Sequence, residues 1–264
     1  MPANRRHRLA PNPSGVHHLR CARTIRTLVQ SSGVGPGDLV LDLGAGPGTI
    51  TAPLLATGGT VIAVERDEKF VATLRARFPG VRVVHADIRR FPLPRKPFAV
   101  VASIPFAVTT PLLRRLLTPA TGHLVAADII VEWGLAKRLT VPHPRDLESA
   151  WWAARFALDI SRGIPSISFS PPPRVSAAHL RIRRTTMTLR TQSILWSILS
   201  RAHQTPMRRN DVMTPRMLRA AGIDPRTPPH EIPISTFRKI AEILSQDRAI
   251  HPPRLPRHLI QPME

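Results

Sequence analysis

A glycine-rich turn is the first feature of this sequence with the residue types to bind a small molecule. It begins with Gly44, Ala45 and Gly46, directly after the apolar run 38–43, and its glycines have the spacing G-x-G-x-G. Glycines at this spacing let a ligand approach the main chain, while the N-terminus of the following helix points towards it. Taken alone, such a turn also serves simply to join a strand to a helix.

Three acidic residues make the turn more specific. Asp42 precedes it, Glu65 ends the next predicted strand and Asp87 follows the third, so all three would line one crevice at the strand ends. A carboxylate about 20 residues after the turn can accept hydrogen bonds from both hydroxyls of a ribose. Asp87 can accept a hydrogen bond from the exocyclic amine of an adenine. Pro47 and Thr49 depart from the pyrophosphate-binding pattern G-x-G-x-x-G. We therefore predict a nucleoside site rather than a dinucleotide site; ordinary loop acids are the alternative.

A second candidate site follows the fourth predicted strand, at residues 103–106, Ser-Ile-Pro-Phe. This segment resembles the [N/D/S]-[I/L/P]-P-[Y/F] turn of amino-group methyltransferases that use S-adenosylmethionine. With the Phe-Ser-Pro-Pro-Pro-Arg-Val segment at 169–175, the stretch 17–183 resembles the rRNA adenine N6-methyltransferases. That family comprises the small-subunit dimethyladenosine transferases and the Erm macrolide-resistance methylases of the large subunit.

The resemblance implies a role for each residue of the turn. The Ser103 hydroxyl and the Ile104 carbonyl would accept the two hydrogens of an adenine N6 amine, directing its lone pair at the methyl donor. Pro105 would stiffen the turn, and Phe106 would stack on the extruded base. Cys21, the only thiol, lies far away in sequence, so a covalent cysteine route such as pyrimidine C5 methylation is disfavoured.

The resemblance also implies that S-adenosyl-L-methionine is the cofactor. The residues at matching positions that would bind it are His17, Leu19, Gly44, Ala45, Gly46, Glu65, Arg66, Asp87, Ile88 and Ser103.

Two departures from the family pattern leave questions open. Ser103 stands where the rRNA adenine enzymes usually have Asn, and related N4-cytosine enzymes use Ser there. The reaction type therefore follows from the resemblance, while the target base and the product, mono- or dimethyladenine, stay open. His17 and His18 replace the Asn-Phe of the family's N-terminal G/S-Q-N-F-L segment; a polar start to the first helix is the alternative.

The charge of the chain points to a polyanionic partner. Its 264 residues carry a formal charge of +21, and only four of its 38 basic residues are lysines. Guanidinium groups suit bidentate phosphate contacts and base stacking, which favours nucleic acid, although a GC-rich genome also produces an arginine bias. The sequence has no long apolar run and no apolar leader, and with one cysteine it predicts a cytoplasmic protein without a membrane span or a metal site.

Several details favour the Erm branch and hence 23S rRNA, in protein-free or precursor form. Arg174 and the Ser176-Ala177 pair replace the Lys and Asp-Ser of the F-x-P-x-P-K-V-D-S pattern, and residues 130–138 resemble the Q/E-W-E-x-A-x-K/R segment of resistance methylases. A small-subunit 16S rRNA dimethyltransferase and a non-catalytic rRNA-binding protein are the alternatives. A solvated basic face is the alternative for each candidate phosphate contact: Arg114, Arg115, Lys137, Arg138, Arg174, Arg181, Arg183 and Arg184.

The order of the elements predicts an α/β fold. Apolar strands alternate with helical segments from 38 to 131, which is typical of a doubly wound parallel sheet, and the resemblance specifies a Rossmann-like class I methyltransferase. The segments 156–160 and 178–182 predict an antiparallel pair at the sheet edge, and helical spacing recurs over 191–204, 213–221 and 235–245. We expect a monomer with a flexible basic arm (1–16), a catalytic domain (17–185), a helical RNA-binding domain (186–250) and a flexible tail (251–264).

Overall fold

The computed structural model describes residues 16–203 and 231–260, together with 218, 219, 222–224, 226 and 227 between them. The predicted basic arm therefore lies outside the described residues except for Val16, and so does most of the predicted helix over 213–221.

A seven-stranded sheet forms the centre of the molecule, with the strand order β4-β3-β2-β5-β6-β9-β7. The first five of these strands are parallel, whereas β9 runs antiparallel to both of its neighbours, β6 and the edge strand β7. A separate antiparallel pair joins β1 to β8. The strands are β1 His18–Leu19, β2 Leu39–Leu43, β3 Thr60–Glu65, β4 Arg82–His85, β5 Phe98–Ser103, β6 Leu124–Glu132, β7 Phe156–Ile164, β8 Phe169–Ser170 and β9 Ala177–Arg184.

Helices connect the parallel strands and continue beyond the sheet. They are α1 Ala22–Ser32, α2 Thr51–Leu55, α3 Glu68–Arg77, α4 Phe106–Leu117, α5 Trp133–Leu139, α6 Leu147–Arg155, α7 Leu189–Ala202, α8 Ile234–Gln246 and α9 Arg257–Ile260. A short 3₁₀ turn spans Ser166–Ser168. Within the described ranges, no helix is long and apolar enough to cross a membrane.

The sheet separates two apolar clusters because successive side chains of a strand point to opposite faces. In β2, Val40 packs in the cluster that contains the apolar face of α1, whereas Leu41 packs in the cluster that contains α4 and α6. Every residue of β2 is buried, as expected for a parallel strand covered on both faces. This arrangement confirms the predicted doubly wound fold and its antiparallel edge.

The helical C-terminal part packs onto the sheet domain through one continuous cluster, which includes Trp151, Leu195 and Phe237. The predicted flexible tail differs from the structure over 251–260. Leu255 and Leu259 are buried there, and the main-chain N–H of Ala120 donates to Leu259 with 2.6 Å between N and O. The apolar residues of this segment, which the prolines obscured in the sequence, anchor it to the end of α4.

Two local predictions also need correction. The apolar spacing of residues 18–30 predicts a helix from His18, whereas α1 begins after Cys21 because His18 and Leu19 pair with Ser170 and Phe169 as β1. The sequence predicts a helix over 110–117, whereas α4 begins earlier, at Phe106, within the Ser-Ile-Pro-Phe turn. Helix α6 has no counterpart among the sequence predictions.

Candidate active site

A cavity of about 380 Å³ opens at the carboxyl ends of β2, β3 and β5. Its volume lies in the range of about 300–1,000 Å³ that is usual for small-molecule and cofactor sites. All ten residues predicted to bind the cofactor line it, and so do Asp42 and Pro105. The structure therefore brings together, in one crevice, side chains that are spread over the sequence from His17 to Ser103.

The glycine turn forms the floor of this cavity. Gly44, Gly46 and Gly48 have positive φ angles of 79°, 53° and 85°. A Cβ on Gly48 would lie 2.6 Å from the Phe78 ring, and one on Gly46 would lie 3.1 Å from Nδ1 of His18. Both positions thus require glycine for two reasons. Their backbone is left-handed, a conformation that other residues rarely adopt, and a side chain would be too close to a neighbouring ring.

Glu65 is held in place by the main chain around it. Its Oε2 accepts the N–H of Gly46 with an N···O distance of 2.8 Å, and its Oε1 accepts the N–H groups of Arg66 at 2.7 Å and Asp67 at 2.8 Å. A carboxylate has about four acceptor positions. Glu65 therefore enters the cavity in a fixed orientation, with acceptor capacity left for a ligand hydroxyl.

Asp42 lies beneath the same turn and is fully buried. The Thr51 hydroxyl donates to its Oδ2 with an O···O distance of 2.6 Å. Burial raises the pKa of Asp42 from 3.8 to about 7; the nearby Glu65 charge adds to the rise, and the Thr51 hydrogen bond opposes it. Asp42 thus changes charge near neutral pH at the back of the cavity.

Asp87 lines the cavity but is also paired with an arginine. The Arg89 side chain donates to both carboxylate oxygens of Asp87. This bidentate hydrogen bonding lowers the pKa of Asp87 from 3.8 to about 2, against a smaller effect of burial. Asp87 is therefore ionised at neutral pH. A ligand amine that donated to Asp87 would share its carboxylate with Arg89.

The two histidines of the N-terminal segment close the cavity from different sides. The His18 ring packs edge-on against Phe70, with 5.2 Å between ring centroids, and partial burial lowers its pKa. His17 Nδ1 lies 2.7 Å from the carbonyl oxygen of Pro171, so Nδ1 must carry the hydrogen that it donates. The His17 ring also lies 6.0 Å from the Phe106 ring. His17 therefore joins the proline loop to the Ser-Ile-Pro-Phe turn.

The Ser-Ile-Pro-Phe turn sits between β5 and α4. Ser103 lies opposite Ile130 in the parallel register of β5 and β6, and the main-chain N–H of Ile104 donates to the Ile130 carbonyl with an N···O distance of 3.2 Å. Ser103 and Pro105 line the cavity, whereas Ile104 is buried and Phe106 packs partly against the α1 cluster. The roles assigned to these four residues stay predictions.

Three of the predicted RNA contacts lie in a second cavity, of about 970 Å³, between α4, α5 and α6. They are Arg114, Lys137 and Arg138, with His143 and Arg145 beside them. Arg114 also pairs with Glu148, with 2.9 Å between N and O. The cavity is therefore a largely cationic cleft. Arg174 is exposed on the proline loop and does not line this cleft.

Other predicted RNA contacts need correction because their guanidinium groups have partners inside the protein. Arg115 donates to the carbonyls of Ile88 and Phe91. Arg183 donates to the Ser31 and Ala127 carbonyls and pairs with Asp128. Arg184 donates to the Leu124 carbonyl. These side chains tie elements of the fold together. Arg181 pairs with Asp159, but this pair is roughly half exposed, as is the pair of Arg114 with Glu148, so the RNA contact at Arg181 stays a prediction.

Sequence reasoning missed several residues that line the main cavity. The most informative is Phe70, in the first turn of α3, which contacts His18. An aromatic residue five positions after Glu65 was the available signal. Ala107 and Val108 were missed because helix α4 starts earlier than the sequence predicts. Within the described residues, no group of three potential metal ligands occurs.

The strand order and the position of the cavity are those of a class I S-adenosylmethionine-dependent methyltransferase fold, with the cavity at the carboxyl ends of the parallel strands. Residues 13–210 match the family model described as ribosomal RNA adenine dimethylase, so the chain belongs to that family. Family and fold imply S-adenosylmethionine as the cofactor.

Known relatives agree with this assignment. An "rRNA adenine N-6-methyltransferase" of Bacillus licheniformis is 37% identical over 178 residues, which cover 66% of this chain and 62% of that protein. The "mycinamicin-resistance protein MyrB" of Micromonospora griseorubida is 38% identical over 126 residues, covering 47% and 40%. The alignments thus span less than two thirds of these relatives.

Two solved structures share the fold. The 23S rRNA methyltransferase ErmE has a TM-score of 0.72 at 21% identity, with 87% of this chain and 100% of that chain covered. A dimethyladenosine transferase from Plasmodium falciparum has a TM-score of 0.67 at 16% identity, covering 87% and 98%.

Proposed function

We propose that the protein transfers the methyl group of S-adenosylmethionine to N6 of an adenine in rRNA. The observation that carries this proposal is the position of the Ser-Ile-Pro-Phe turn. Its Ser103 and Pro105 line the same cavity as Glu65 and Asp87, so a turn suited to an amine acceptor adjoins a nucleoside-binding site. Family membership adds the reaction type.

The cavity fits S-adenosylmethionine by the chemistry of its donors and acceptors. Glu65 would accept a hydrogen bond from a ribose hydroxyl, Asp87 would accept one from the adenine amine, and the glycine turn leaves room against the main chain. None of these groups requires the ligand to carry a phosphate. When bound, the cofactor supplies an electrophilic methyl group on a positively charged sulfur.

The turn would present the target amine in a reactive geometry. An adenine N6 amine is a poor nucleophile because its lone pair is delocalised into the ring. The Ser103 hydroxyl and the Ile104 carbonyl would accept its two hydrogens, and this favours a pyramidal nitrogen whose lone pair faces the methyl group. Positioning and charge placement then provide most of the acceleration. Phe106 would stack on the flipped base.

The cationic cleft between α4, α5 and α6 would bind the rRNA backbone, and the helical part over 186–250 would extend this surface. Arg114, Lys137 and Arg138 are its candidate phosphate contacts. Phosphate contacts position an RNA without choosing the base, so the choice would come from RNA shape and the flipped nucleotide.

We infer that 23S rRNA is the substrate and that macrolide-type resistance is the consequence. Supporting this, the chain is 38% identical to the mycinamicin-resistance protein over the shared stretch, against 29% to a "ribosomal RNA small subunit methyltransferase A" of Prosthecochloris aestuarii. The Arg174 and Ser176-Ala177 departures point the same way. Methylation of 16S rRNA is the second candidate.

The test is to incubate the protein with methyl-labelled S-adenosylmethionine and either protein-free 23S rRNA or protein-free 16S rRNA. We expect label in 23S rRNA. Primer extension on rRNA from cells expressing the protein should map the modification to one adenine. Label confined to 16S rRNA would replace the substrate assignment. Calorimetry with the cofactor separates the enzyme from a non-catalytic rRNA-binding protein, because complete absence of cofactor binding contradicts the enzyme.

A further inference from the structure

Trp133 differs from the other tryptophans of the chain in its exposure. Trp151 and Trp152 are 0% and 2% exposed in the core, and Trp196 packs edge-on against Trp151 with 5.4 Å between ring centroids. Trp133 is 37% exposed. An exposed indole that fills no core position is a common anchor for a binding partner.

The position of Trp133 relates it to the candidate active site. It directly follows β6, three residues after Ile130, which lies opposite Ser103 in the sheet. At a rise of about 3.3 Å per residue, the Trp133 backbone lies about 10 Å beyond Ser103 along the strand direction. Its main-chain N–H donates to the Ser176 carbonyl with an N···O distance of 3.0 Å, which fixes it beside the proline loop.

A glycine supports one side of the indole. The position that a Cβ on Gly163 of β7 would occupy lies 3.5 Å from Cζ3 and 4.0 Å from Cε3 of Trp133. The six-membered ring therefore rests near the bare main chain of β7, and the exposed part of the side chain faces solvent. Trp133 is therefore fixed at two points, its main-chain N–H and the edge of its six-membered ring. Less side-chain entropy is then lost when the ring binds a partner.

Exposed cations lie on the segments that hold this ring. Arg162 precedes Gly163 on β7, Arg174 lies on the proline loop two residues before Ser176, and Lys137 lies one helical turn along α5 from Trp133. Within the described part of the chain these three form no ion pair. Glu132 is the acidic neighbour in sequence. An exposed aromatic ring on a surface that carries exposed cations is a combination that binds single-stranded nucleic acid.

We propose that Trp133 is a stacking platform for a nucleotide that flanks the target adenine. This inference rests on the proposed function. An adenine that leaves its stack for the cavity also unstacks its neighbours, and a base placed on the indole recovers stacking energy. Trp133 thus selects RNA whose flanking nucleotide can reach the platform.

Tryptophan fluorescence tests the contact directly, because Trp133 is the exposed indole among the four and a stacked base quenches it. The probe is a ten-nucleotide oligoadenylate, titrated into wild type, Trp133→Phe, Trp133→Ala and the control Val125→Ala. Val125 is an exposed apolar residue at the opposite end of β6. We expect quenching in wild type and Val125→Ala, and its loss in both Trp133 variants.

Affinity for the same oligonucleotide, measured by anisotropy, gives the size of the effect. We expect Trp133→Ala to weaken binding about 5- to 150-fold, the usual value of one stacked base, and Trp133→Phe to weaken it less. The slope of affinity against salt should stay unchanged, since no phosphate contact is lost. Lys137→Ala should instead reduce that slope by about one.

The outcomes separate this inference from the proposed reaction. Wild-type binding and quenching in Trp133→Ala, with methyl transfer to rRNA intact, would overturn the platform alone. Quenching by the oligonucleotide without any methyl transfer by wild type would support the platform and contradict the proposed function. Circular dichroism of each variant, which should match wild type because Trp133 is on the surface, excludes misfolding as the cause.

Discussion

The carboxylate of Glu65 accepts a hydrogen bond from the main-chain N–H of Gly46, with 2.8 Å between N and Oε2. This bond ties the end of β3 to the glycine turn after β2, so the side chain proposed to bind the ribose also shapes the surface on which the cofactor lies. Binding and local structure therefore depend on the same carboxylate.

We predict that Glu65→Gln weakens S-adenosylmethionine binding about tenfold or more. An amide cannot accept from Gly46 at one atom and from Arg66 and Asp67 at the other, because its NH₂ group would face a donor. Loss of one well-placed hydrogen bond with an unpaired buried donor costs about 1–3 kcal/mol. Isothermal calorimetry measures the affinity.

The matched control for this prediction is Glu68→Gln, the same substitution three residues later. Glu68 is exposed in the first turn of α3 and does not line the cavity. It should leave cofactor affinity within twofold of wild type. Equal affinities for Glu65→Gln and Glu68→Gln would remove Glu65 from the cofactor site.

We predict that Asp87→Ala and Phe106→Ala separate cofactor binding from methyl transfer. Asp87 lines the cavity, so its loss should weaken cofactor affinity about tenfold, the value of a charge-assisted hydrogen bond of about 1.5 kcal/mol. Phe106 lies outside the cavity lining, beside His17, so its loss should slow transfer and leave cofactor affinity nearly intact. Calorimetry and single-turnover transfer measure the two effects.

Arg89→Ala is the control for the Asp87 variant. Arg89 donates to both oxygens of Asp87, and its removal frees the carboxylate without removing it. Cofactor affinity in Arg89→Ala should equal or exceed that of wild type. If Asp87→Ala and Phe106→Ala weaken cofactor binding equally, the division of roles between them is wrong.

Much of this site could be predicted from the sequence because its parts are local. The glycine turn, Glu65 and Asp87 each follow an apolar strand, and the carboxyl ends of parallel strands meet at one edge of a sheet. The alternation of strands and helices is set by short-range hydrophobic periodicity. These features need no knowledge of distant contacts.

The remaining features depend on pairings between distant parts of the chain. His18 becomes part of a strand because Ser170 lies beside it, more than 150 residues away. Arg115 and Arg183 resemble surface cations in the sequence, yet carbonyl groups brought close by the fold accept their hydrogens. Charge alone cannot distinguish an arginine that binds RNA from one that joins two elements of the fold.

We predict that Asp42→Asn stabilises the protein at alkaline pH. The pKa of Asp42 is about 7 in the folded state and near 3.8 when unfolded, so the folded state binds more protons between these values. The contribution of protonated Asp42 to the free energy of unfolding is therefore full below about pH 4 and is lost as the pH rises through 7. Asparagine, which keeps an acceptor for Thr51, removes the titration.

Urea unfolding at pH 5 and pH 8 measures this effect. Wild type should lose a few kcal/mol of unfolding free energy relative to Asp42→Asn between the two values. Asp38→Asn, at an exposed position just before β2, should show the same pH dependence as wild type. A parallel loss in wild type and Asp42→Asn would show that Asp42 does not titrate in the folded state between these two pH values.

Two aspartates in the same row of the sheet, one buried and one exposed, should differ sharply in their effect on stability. In the register, Arg181 of β9 lies between Asp128 of β6 and Asp159 of β7. Asp128 is 0% exposed; it accepts a hydrogen bond from Ser31 and contacts His179 and Arg183. Burial raises its pKa, but these partners outweigh burial, so the pKa lies below its usual value.

We predict that Asp128→Asn lowers the unfolding free energy by about 3–5 kcal/mol at pH 7, because it leaves the Arg183 charge and the His179 contact without a carboxylate. Asp159→Asn should cost at most about 1 kcal/mol, since the Asp159–Arg181 pair, 2.7 Å apart, is roughly half exposed. Urea unfolding of both variants checks this. The depressed pKa means that Asp128 stabilises above its unfolded pKa and that this contribution disappears in acid, so the difference from wild type should shrink towards pH 3. Similar losses for both variants would show that the buried cluster contributes no more than a surface pair.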